Sequence, residues 1–219
     1  MAKSAIVLGA TGLTGNILLN MLLNDERYNQ IIVFGRNSCN IKHPKLEEYI
    51  IDLFQLDHYV NKFKADEVHC CIGTTKAKTS NKEIYVKIDY GIPVAAAKLC
   101  KTNGIKTFLV ISALGAKKNS KVFYNRTKGK MEAAVLGEEI PHTYILQPSL
   151  ISGKRKEFRF GEYVFNGLMS LIKPMFRFGG LKRYQPIAPE TIAKCMVWLV
   201  NTTYNSGRIK SKKIQELGE

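Results

Sequence analysis

Short apolar runs alternate with helix-patterned segments along the chain. Each run has the length of a buried parallel strand, and the segments between runs carry apolar residues at helical spacing. The runs that predict strands are 5–8, 31–34, 48–53, 68–72, 106–111 and 142–146. The segments that predict helices are 17–23, 55–64, 81–103, 121–138 and 190–200. Since Pro93 lies inside the third of these, we expect a kink or break near Gly91. The alternation predicts an α/β protein with helices on both faces of a parallel sheet.

Three glycines stand between the first strand and the first helix. A glycine-rich turn at this point leaves backbone N–H groups and the positive end of the helix directed at one spot, which suits a phosphate. Such a turn also occurs for purely structural reasons, but here it leads to a second strand, as a βαβ dinucleotide unit requires. The residues of this turn predicted to contact a cofactor are Gly9, Thr11, Gly12, Leu13, Thr14 and Gly15.

Arg36 follows the second strand, where NAD-specific proteins of this kind usually place an acidic residue. A guanidinium binds a 2′-phosphate in a bidentate manner, so Arg36 favours NADP(H) as the cofactor. The alternative is an arginine that is merely exposed on a loop.

The fourth strand ends in Gly73-Thr74-Thr75. Ligands of open parallel sheets lie beyond the carboxyl ends of the strands, so we expect this turn beside the glycine turn. Gly73 would let a cofactor pass closely, and the hydroxyls of Thr74 and Thr75 would reach phosphate or substrate.

A candidate catalytic set follows the fifth strand. Ser112 ends that strand, and Tyr124 and Lys128 share one helix face because they are four residues apart. A neighbouring ammonium favours the phenolate of a tyrosine whose pKa is ordinarily about 10, so Lys128 would tune Tyr124 as a proton donor or acceptor. Ser112 would hydrogen-bond the reacting oxygen. The remaining N–H groups of Lys128 would hold the nicotinamide ribose. The alternative is that Tyr124 only packs on the helix and Lys128 binds only the ribose, which leaves a cofactor-binding protein without chemistry.

Taken in order, the glycine turn, the Gly-Thr-Thr turn, the strand-ending serine and Tyr-x-x-x-Lys resemble the short-chain dehydrogenase/reductase superfamily. The stretch from Cys70 to Tyr90 resembles its atypical branch, which includes the Tat-interacting-protein-type oxidoreductases and NAD(P)H-binding epimerase-like proteins. The resemblance implies one Rossmann-type domain over 1–219 with a doubly wound parallel sheet of six to seven strands. It places the cofactor-binding core in 1–153 and a small substrate-side cap and final helix in 154–219.

The resemblance also implies further cofactor contacts and shows where this chain departs from the superfamily. Adenine contacts would fall at Asp52 and Leu53, and nicotinamide contacts at Pro148 and Ile151. The helix position where many members carry an asparagine of a proton relay is occupied here by Asp89. The residues that replace the usual arginine and glycine around Pro148 are Gln147 and Ser149.

Composition narrows the function classes. The 219 residues suffice for one α/β core, and the formal net charge of +15 is concentrated in the second half. Without a nucleic-acid-binding motif, we expect a solvated basic surface with at most weak contact to anionic surfaces, and not specific nucleic-acid binding. The five cysteines lack a C-x-x-C pair, and the histidines lack metal-ligand spacing, so we expect no metal.

We expect no secretory signal and no membrane span, and therefore a cytoplasmic protein. The apolar positions of 163–176 predict a substrate lid, a homodimer surface or an interfacial membrane helix. The predicted function is an NADP(H)-dependent oxidoreductase acting on a small carbonyl or alcohol substrate. A non-catalytic NADP(H)-binding regulator that acts through a protein partner is the alternative, and Arg36 argues against a sugar-nucleotide epimerase, which would usually retain NAD.

Overall fold

The computed structural model describes residues 2–75, 77–152 and 185–219. The strands are β1 (Lys3–Leu8), β2 (Tyr28–Gly35), β3 (Leu46–Ile50), β4 (Glu67–Cys70), β5 (Thr107–Ile111), β6 (His142–Gln147) and β7 (Gly207–Lys210). The α-helices are α1 (Leu13–Leu23), α2 (Lys82–Val86), α3 (Ile92–Thr102), α4 (Phe123–Gly137), α5 (Pro189–Val200) and α6 (Ser211–Gly218). A 3₁₀ helix covers Leu53–Tyr59, and a π-helical turn covers Lys87–Gly91.

All strand pairs in the seven-stranded sheet are parallel, in the order β3-β2-β1-β4-β5-β6-β7. This confirms the predicted Rossmann-type fold. The strand order reverses between β1 and β4, which is where open α/β sheets form their ligand crevice. Since Leu8 of β1 pairs with Cys70 of β4, the turns that follow these two strands lie side by side.

Alternate side chains of each central strand enter two separate apolar layers. In β1, Ile6 and Leu8 join the layer that contains the buried sides of α3 and α4. Ala5 and Val7 join the opposite layer, which contains α1 and α5. Because both faces of the strands are buried, the strands read in the sequence as nearly continuous apolar runs.

The kink expected near Gly91 takes the form of the π-helical turn between α2 and α3. Pro93 lies in the first turn of α3, where the missing N–H of proline costs little. The π turn carries Asp89 into the interior, where it is fully buried.

The third strand and its crossover differ from the prediction. β3 ends at Ile50, before Asp52, whose carboxylate accepts the Phe54 N–H at 3.0 Å and so begins a helix. That helix is 3₁₀ in type and spans Leu53–Tyr59, where an α-helix over 55–64 was expected.

The last strand and helix were not predicted individually. β7 is four residues long with Ile209 as its buried residue, so it leaves little apolar pattern in the sequence. Residues 185–219 thus add two helices and a strand to the core, while 154–184, including the lid or interface expected at 163–176, lie outside the described residues. Within the described ranges, no helix has both the length and the apolar composition to span a membrane.

Candidate functional site

The glycine turn after β1 is closely packed and opens directly into α1. Gly9 has φ +82°, a left-handed conformation that favours glycine, and its carbonyl oxygen accepts the Gly12 N–H at 2.9 Å. A Cβ on Gly15 would lie 2.1 Å from that same oxygen. No side chain caps α1, and its first turn contains no acidic residue. The positive end of the helix therefore suits the pyrophosphate of a dinucleotide.

The remaining predicted contacts of this turn differ in exposure. Thr11 and Gly12 are exposed, Leu13 is half-buried, and Thr14 and Gly15 are buried. A phosphate at the turn would therefore meet mainly backbone N–H groups, which is consistent with the glycines.

Three predicted cofactor residues follow β2 and β3. Arg36 is exposed directly after β2, whose Phe34 pairs with Leu8 of β1, so it stands next to the glycine turn. Asp52 caps the 3₁₀ helix, and the Leu53 side chain is buried in the core. Both side chains thus have contacts within the protein. The adenine contacts suggested for Asp52 and Leu53 stay predictions.

The turn after β4 is tied to the π turn. The Thr74 N–H donates to Asp89 Oδ2 at 2.8 Å, and the Thr74 and Thr79 hydroxyl oxygens lie 2.9 Å apart. The Thr75 hydroxyl oxygen accepts the Lys78 N–H at 3.4 Å. The hydroxyls expected to reach phosphate or substrate thus have partners within the protein.

Lys128 projects from α4 to the carboxyl ends of β4 and β5. Its Nζ lies 2.9 Å from Asp89 Oδ1 and donates to the Ile111 carbonyl oxygen at 3.2 Å. A Cβ on Gly73 would lie 3.7 Å from this nitrogen. Burial by itself lowers the pKa of Lys128, but the charge and hydrogen bond of Asp89, together with the charges of Tyr124 and Cys70, raise that pKa above its ordinary value. Lys128 therefore stays charged although it is buried.

Tyr124 lies one helical turn before Lys128 and is 39% exposed, in contrast to the buried lysine. The electrostatic interaction between the two residues contributes to the raised pKa of Lys128. The start of α4 is held against α2 by a T-shaped contact between the Phe123 and Tyr85 rings, whose centroids are 5.5 Å apart. The structure thus brings an accessible phenol and a buried ammonium together on one helix face.

Ser112 is buried and faces Glu132, a residue that the sequence analysis missed. Its hydroxyl donates to Glu132 Oε1 at 2.5 Å, and the same oxygen accepts Gln147 Nε2–H at 2.8 Å. Glu132 Oε2 accepts Arg208 Nε–H from β7 at 2.6 Å. Glu132 follows Lys128 by four residues, so helical spacing from Tyr124 was the signal that could have found it.

Backbone contacts connect the segment after β5 to the segment after β6, and the segment after β6 to the residues before α5. The Pro148 carbonyl oxygen accepts the Leu114 N–H at 2.8 Å, and Ile151 forms a parallel bridge with Ile187. Of these two predicted nicotinamide contacts, the buried Pro148 lies beside the segment that follows Ser112, whereas the half-buried Ile151 lies beside Ile187.

Helix α4 touches the loop that precedes it without an intervening side chain. A Cβ on Gly129 would lie 2.2 Å from the Lys117 carbonyl carbon, and the Lys117 N–H donates to the Asn125 carbonyl oxygen at 3.0 Å. The loop and the helix that carries Tyr124 are therefore in backbone contact at two points.

Together, the 3-2-1-4-5-6-7 parallel sheet, the glycine turn at its switch point and the tyrosine-lysine helix beside it define an atypical short-chain dehydrogenase/reductase with a Rossmann fold. Residues 9–163 match the family model described as NAD(P)H-binding. The chain belongs to this NAD(P)H-binding family, and a nicotinamide nucleotide is thus its class of cofactor.

Similar proteins extend the comparison. Protein HTATIP2 of Rattus norvegicus is 30% identical over 166 residues, which cover 74% of this chain and 68% of that protein. Protein FMP52, mitochondrial, of Meyerozyma guilliermondii is 32% identical over 198 residues, covering 89% and 84%. Among solved structures, UDP-glucose 4-epimerase of Thermotoga maritima has a TM-score of 0.70 at 15% identity, covering 98% and 81%. That last likeness concerns the fold alone.

One expectation is corrected by these relatives. The FMP52 proteins of Debaryomyces hansenii, Meyerozyma guilliermondii and Candida albicans are all named as mitochondrial. They point to the mitochondrion, so the expected cytoplasmic location is wrong. The inference failed because it used only the expected lack of a secretory signal and of a membrane span, neither of which separates these two compartments.

Proposed function

We propose that this protein is an NADP(H)-dependent oxidoreductase that transfers a hydride between the nicotinamide and a small carbonyl or alcohol substrate. The observation that carries the proposal is the position of the Lys128 ammonium. It lies beside Gly73 at the switch point of the sheet, one helical turn from the exposed phenol of Tyr124. This is where a cofactor held by the glycine turn would place its reducing end.

The cofactor would be held by groups of two kinds. Backbone N–H groups of 13–15 at the start of α1 would bind the pyrophosphate, because that helix end is uncapped, whereas the Gly12 N–H already donates to the Gly9 carbonyl oxygen. The exposed guanidinium of Arg36 would bind the 2′-phosphate and so distinguish NADP(H) from NAD(H). When bound, the cofactor supplies or accepts the hydride.

The protein side chains would handle the proton and the reacting oxygen. Tyr124 donates its phenolic proton to the carbonyl oxygen, and the charge of Lys128 stabilises the phenolate that results. The Ser112 hydroxyl already donates a hydrogen bond to Glu132. Its oxygen can still accept a hydrogen bond from the product alcohol. The network of Glu132 would keep Ser112 in this orientation.

The test is a screen of aldehydes and ketones with the purified protein and NADPH, in which the fall in NADPH absorbance measures turnover. Tyr124→Phe should bind NADPH as the wild type does and should lose turnover by at least about 100-fold, since it lacks the proton donor. Tyr204→Phe, beside Trp198 after α5, is the matched control and should retain turnover. Equal turnover in Tyr124→Phe would contradict the assignment.

The same screen addresses the alternative function. Tight NADPH binding without turnover on any carbonyl compound would favour a non-catalytic NADP(H)-binding regulator. The contacts of Ser112 with Glu132 and of Lys128 with Asp89 are compatible with that role, since both side chains already have protein partners.

A further inference from the structure

The connection between β2 and β3 is a loop, although parallel strands are usually joined by a helix. The described residues 36–45 contain neither a helix nor a strand. Arg36, which we expect to bind the 2′-phosphate, is the first residue of this loop and is exposed. Its backbone therefore lacks the support of a crossover helix, and its position depends on other contacts.

Glu48, on β3, holds the loop directly after Arg36. Its Oε2 accepts the Ser38 hydroxyl at 2.8 Å, and its Oε1 accepts the Cys39 N–H at 2.7 Å. Burial raises the pKa of Glu48, but the hydrogen bonds from Cys39 and Ser38 together lower that pKa below its ordinary value. The side chain is thus a carboxylate at neutral pH, and both of its oxygens are bonded to the loop.

Two further hydrogen bonds complete the anchored segment. The Ser38 hydroxyl oxygen accepts the Asn40 N–H at 3.0 Å, and Asn40 has φ +55°, a conformation that asparagine adopts more readily than most residues. On the other side of Arg36, the Gly35 carbonyl oxygen accepts the Ile51 N–H at 2.8 Å. Arg36 therefore lies between two anchored points, and the anchors belong to β3 and to the residue that follows it.

The charge of Glu48 has two opposing effects on a 2′-phosphate bound by Arg36. A nearby carboxylate repels the phosphate, whereas an anchored loop lowers the conformational entropy that Arg36 loses on binding. Both oxygens of Glu48 are bonded to the loop, which favours the second effect. We propose that Glu48 is a positioning residue that sets the preference for NADP(H) over NAD(H) by fixing Arg36 at the 2′-phosphate. This inference rests on the proposed function.

The decisive variant is Glu48→Gln, which replaces one acceptor oxygen by an NH₂ donor and so breaks one of the two bonds to the loop. If the loop then holds the binding conformation for about a quarter of the time, NADPH affinity falls about fourfold, whereas NADH, which lacks the 2′-phosphate, keeps its affinity. Fluorescence titration with each nucleotide measures both affinities. Unchanged or higher NADPH affinity, or an equal loss for both nucleotides, would overturn the proposal.

Glu47→Gln is the matched control for the loss of a carboxylate from β3. Glu47 is adjacent to Glu48 but accepts Gln30 Nε2–H of β2 at 2.8 Å and does not hold the loop. Its substitution should leave the affinities for both nucleotides unchanged. A fourfold loss of NADPH affinity in this control as well would assign the effect to charge on β3 and contradict the role of Glu48.

A double variant shows whether Glu48 acts through Arg36. In an Arg36→Ala background the 2′-phosphate has lost its partner, so Glu48→Gln should not lower NADPH affinity further. An additional loss of about fourfold in the double variant would show that Glu48 acts independently of Arg36, and the positioning role would be wrong.

Ser38→Ala tests the same role if circular dichroism shows that Glu48→Gln does not fold. It removes one of the two donors and keeps the carboxylate, so NADPH affinity should fall about twofold in the wild-type background and not at all in the Arg36→Ala background. An unchanged NADPH affinity in Ser38→Ala, or a loss that persists in the Arg36→Ala background, would overturn the proposal.

These titrations separate the role of Glu48 from the proposed function. They need no substrate, so a protein without turnover would refute hydride transfer while the affinities still decide the role of Glu48. A wild type that prefers NADPH, with Glu48→Gln unaffected, would refute only the role of Glu48. A wild type that binds NADPH and NADH equally would refute the NADP(H) assignment and the role of Glu48 with it.

Discussion

At the amino edge of the sheet, the buried carboxylate Glu67 is surrounded by hydrogen-bonding partners from the strands themselves. Its Oε1 accepts the Tyr28 hydroxyl at 2.7 Å and lies 2.9 Å from His69 Nε2, and its Oε2 lies 3.5 Å from Lys3 Nζ. At the carboxyl edge, by contrast, the buried carboxylate of Asp89 holds the Lys128 ammonium beside Gly73, in the turn after β4. Both carboxylates are buried and paired, but the partners of Glu67 lie on strands and those of Asp89 on a helix and a turn.

The difference indicates what each edge contributes. The partners of Glu67 come from β1, β2 and β4, so this cluster fastens the central strands together at the end away from the glycine turn. The partners of Asp89 come from a helix and a turn that border the predicted cofactor site. We therefore expect changes at the amino edge to alter stability without altering cofactor binding, and changes at the carboxyl edge to alter binding or chemistry.

The largest effect should come from Glu67→Ala. The substitution leaves the Lys3 charge, the Tyr28 hydroxyl and His69 without their common partner, and breaking a buried ionic network of this kind costs about 3–5 kcal/mol. Urea denaturation measures the loss, and Glu26→Ala, which removes an exposed carboxylate, serves as the control. NADPH affinity should stay at the wild-type value, and a parallel loss of affinity would contradict the division between the edges.

Gly15→Ala should lower both the stability of the fold and the affinity for NADPH, because Gly15 lies both in the packed core and at the predicted cofactor site. The added Cβ would lie 2.1 Å from the Gly9 carbonyl oxygen, and such overpacking against backbone costs about 3 kcal/mol. Because relief of the clash must move the turn, NADPH binding should be lost as well. Gly137→Ala is the control, because Gly137 is also a helical glycine but a Cβ there would meet nothing within 4 Å. Fluorescence titration and denaturation of the same samples provide both measurements.

Arg36→Ala should change binding without changing stability. Removing an exposed guanidinium that binds the 2′-phosphate should weaken NADPH about tenfold, or about 1.4 kcal/mol. NADH lacks that phosphate, so its affinity should not change. Parallel titrations with the two nucleotides test this, and equal losses for both would assign Arg36 to some other contact.

The smallest effect is a pH dependence at the amino edge. Burial raises the pKa of Glu67, but the contacts with His69, Tyr28 and Lys3 together lower that pKa below its ordinary value of 4.5. A carboxyl with a depressed folded-state pKa stabilises the fold above its unfolded value, and this contribution is lost as pH falls through the folded value. Denaturation of wild type between about pH 7 and about pH 3 should show this loss, whereas Glu67→Gln should lack that share of it.

The sequence predicted those parts of the site that depend on backbone shape and on fixed helical spacing. The three glycines before α1 and the four-residue interval from Tyr124 to Lys128 are both visible in one dimension, and the structure places both groups at the switch point. The ends of β1 at Leu8 and of β5 at Ile111 were predicted correctly, whereas β4 ends at Cys70 and not at Ile72 as predicted.

Contacts between distant segments could not be predicted in this way. The pairing of Asp89 with Lys128 depends on a π turn, in which the usual i+3 and i+4 relations do not give the facing side chains. The pairing of Glu132 with Arg208 depends on β7, whose four residues carry little apolar pattern. The hydrogen bond from Ser112 to Glu132 joins β5 to α4 across 20 residues, and it was also missed.

The missing side chain at Gly129 has a mechanical consequence. Since the tyrosine helix rests backbone to backbone on Lys117 and Lys118, a shift of that loop is transmitted to the phenol without being absorbed by a flexible rotamer. A partner bound to this exposed loop would thereby influence the position of Tyr124, and a larger residue in place of Gly129 would push the loop and the helix apart.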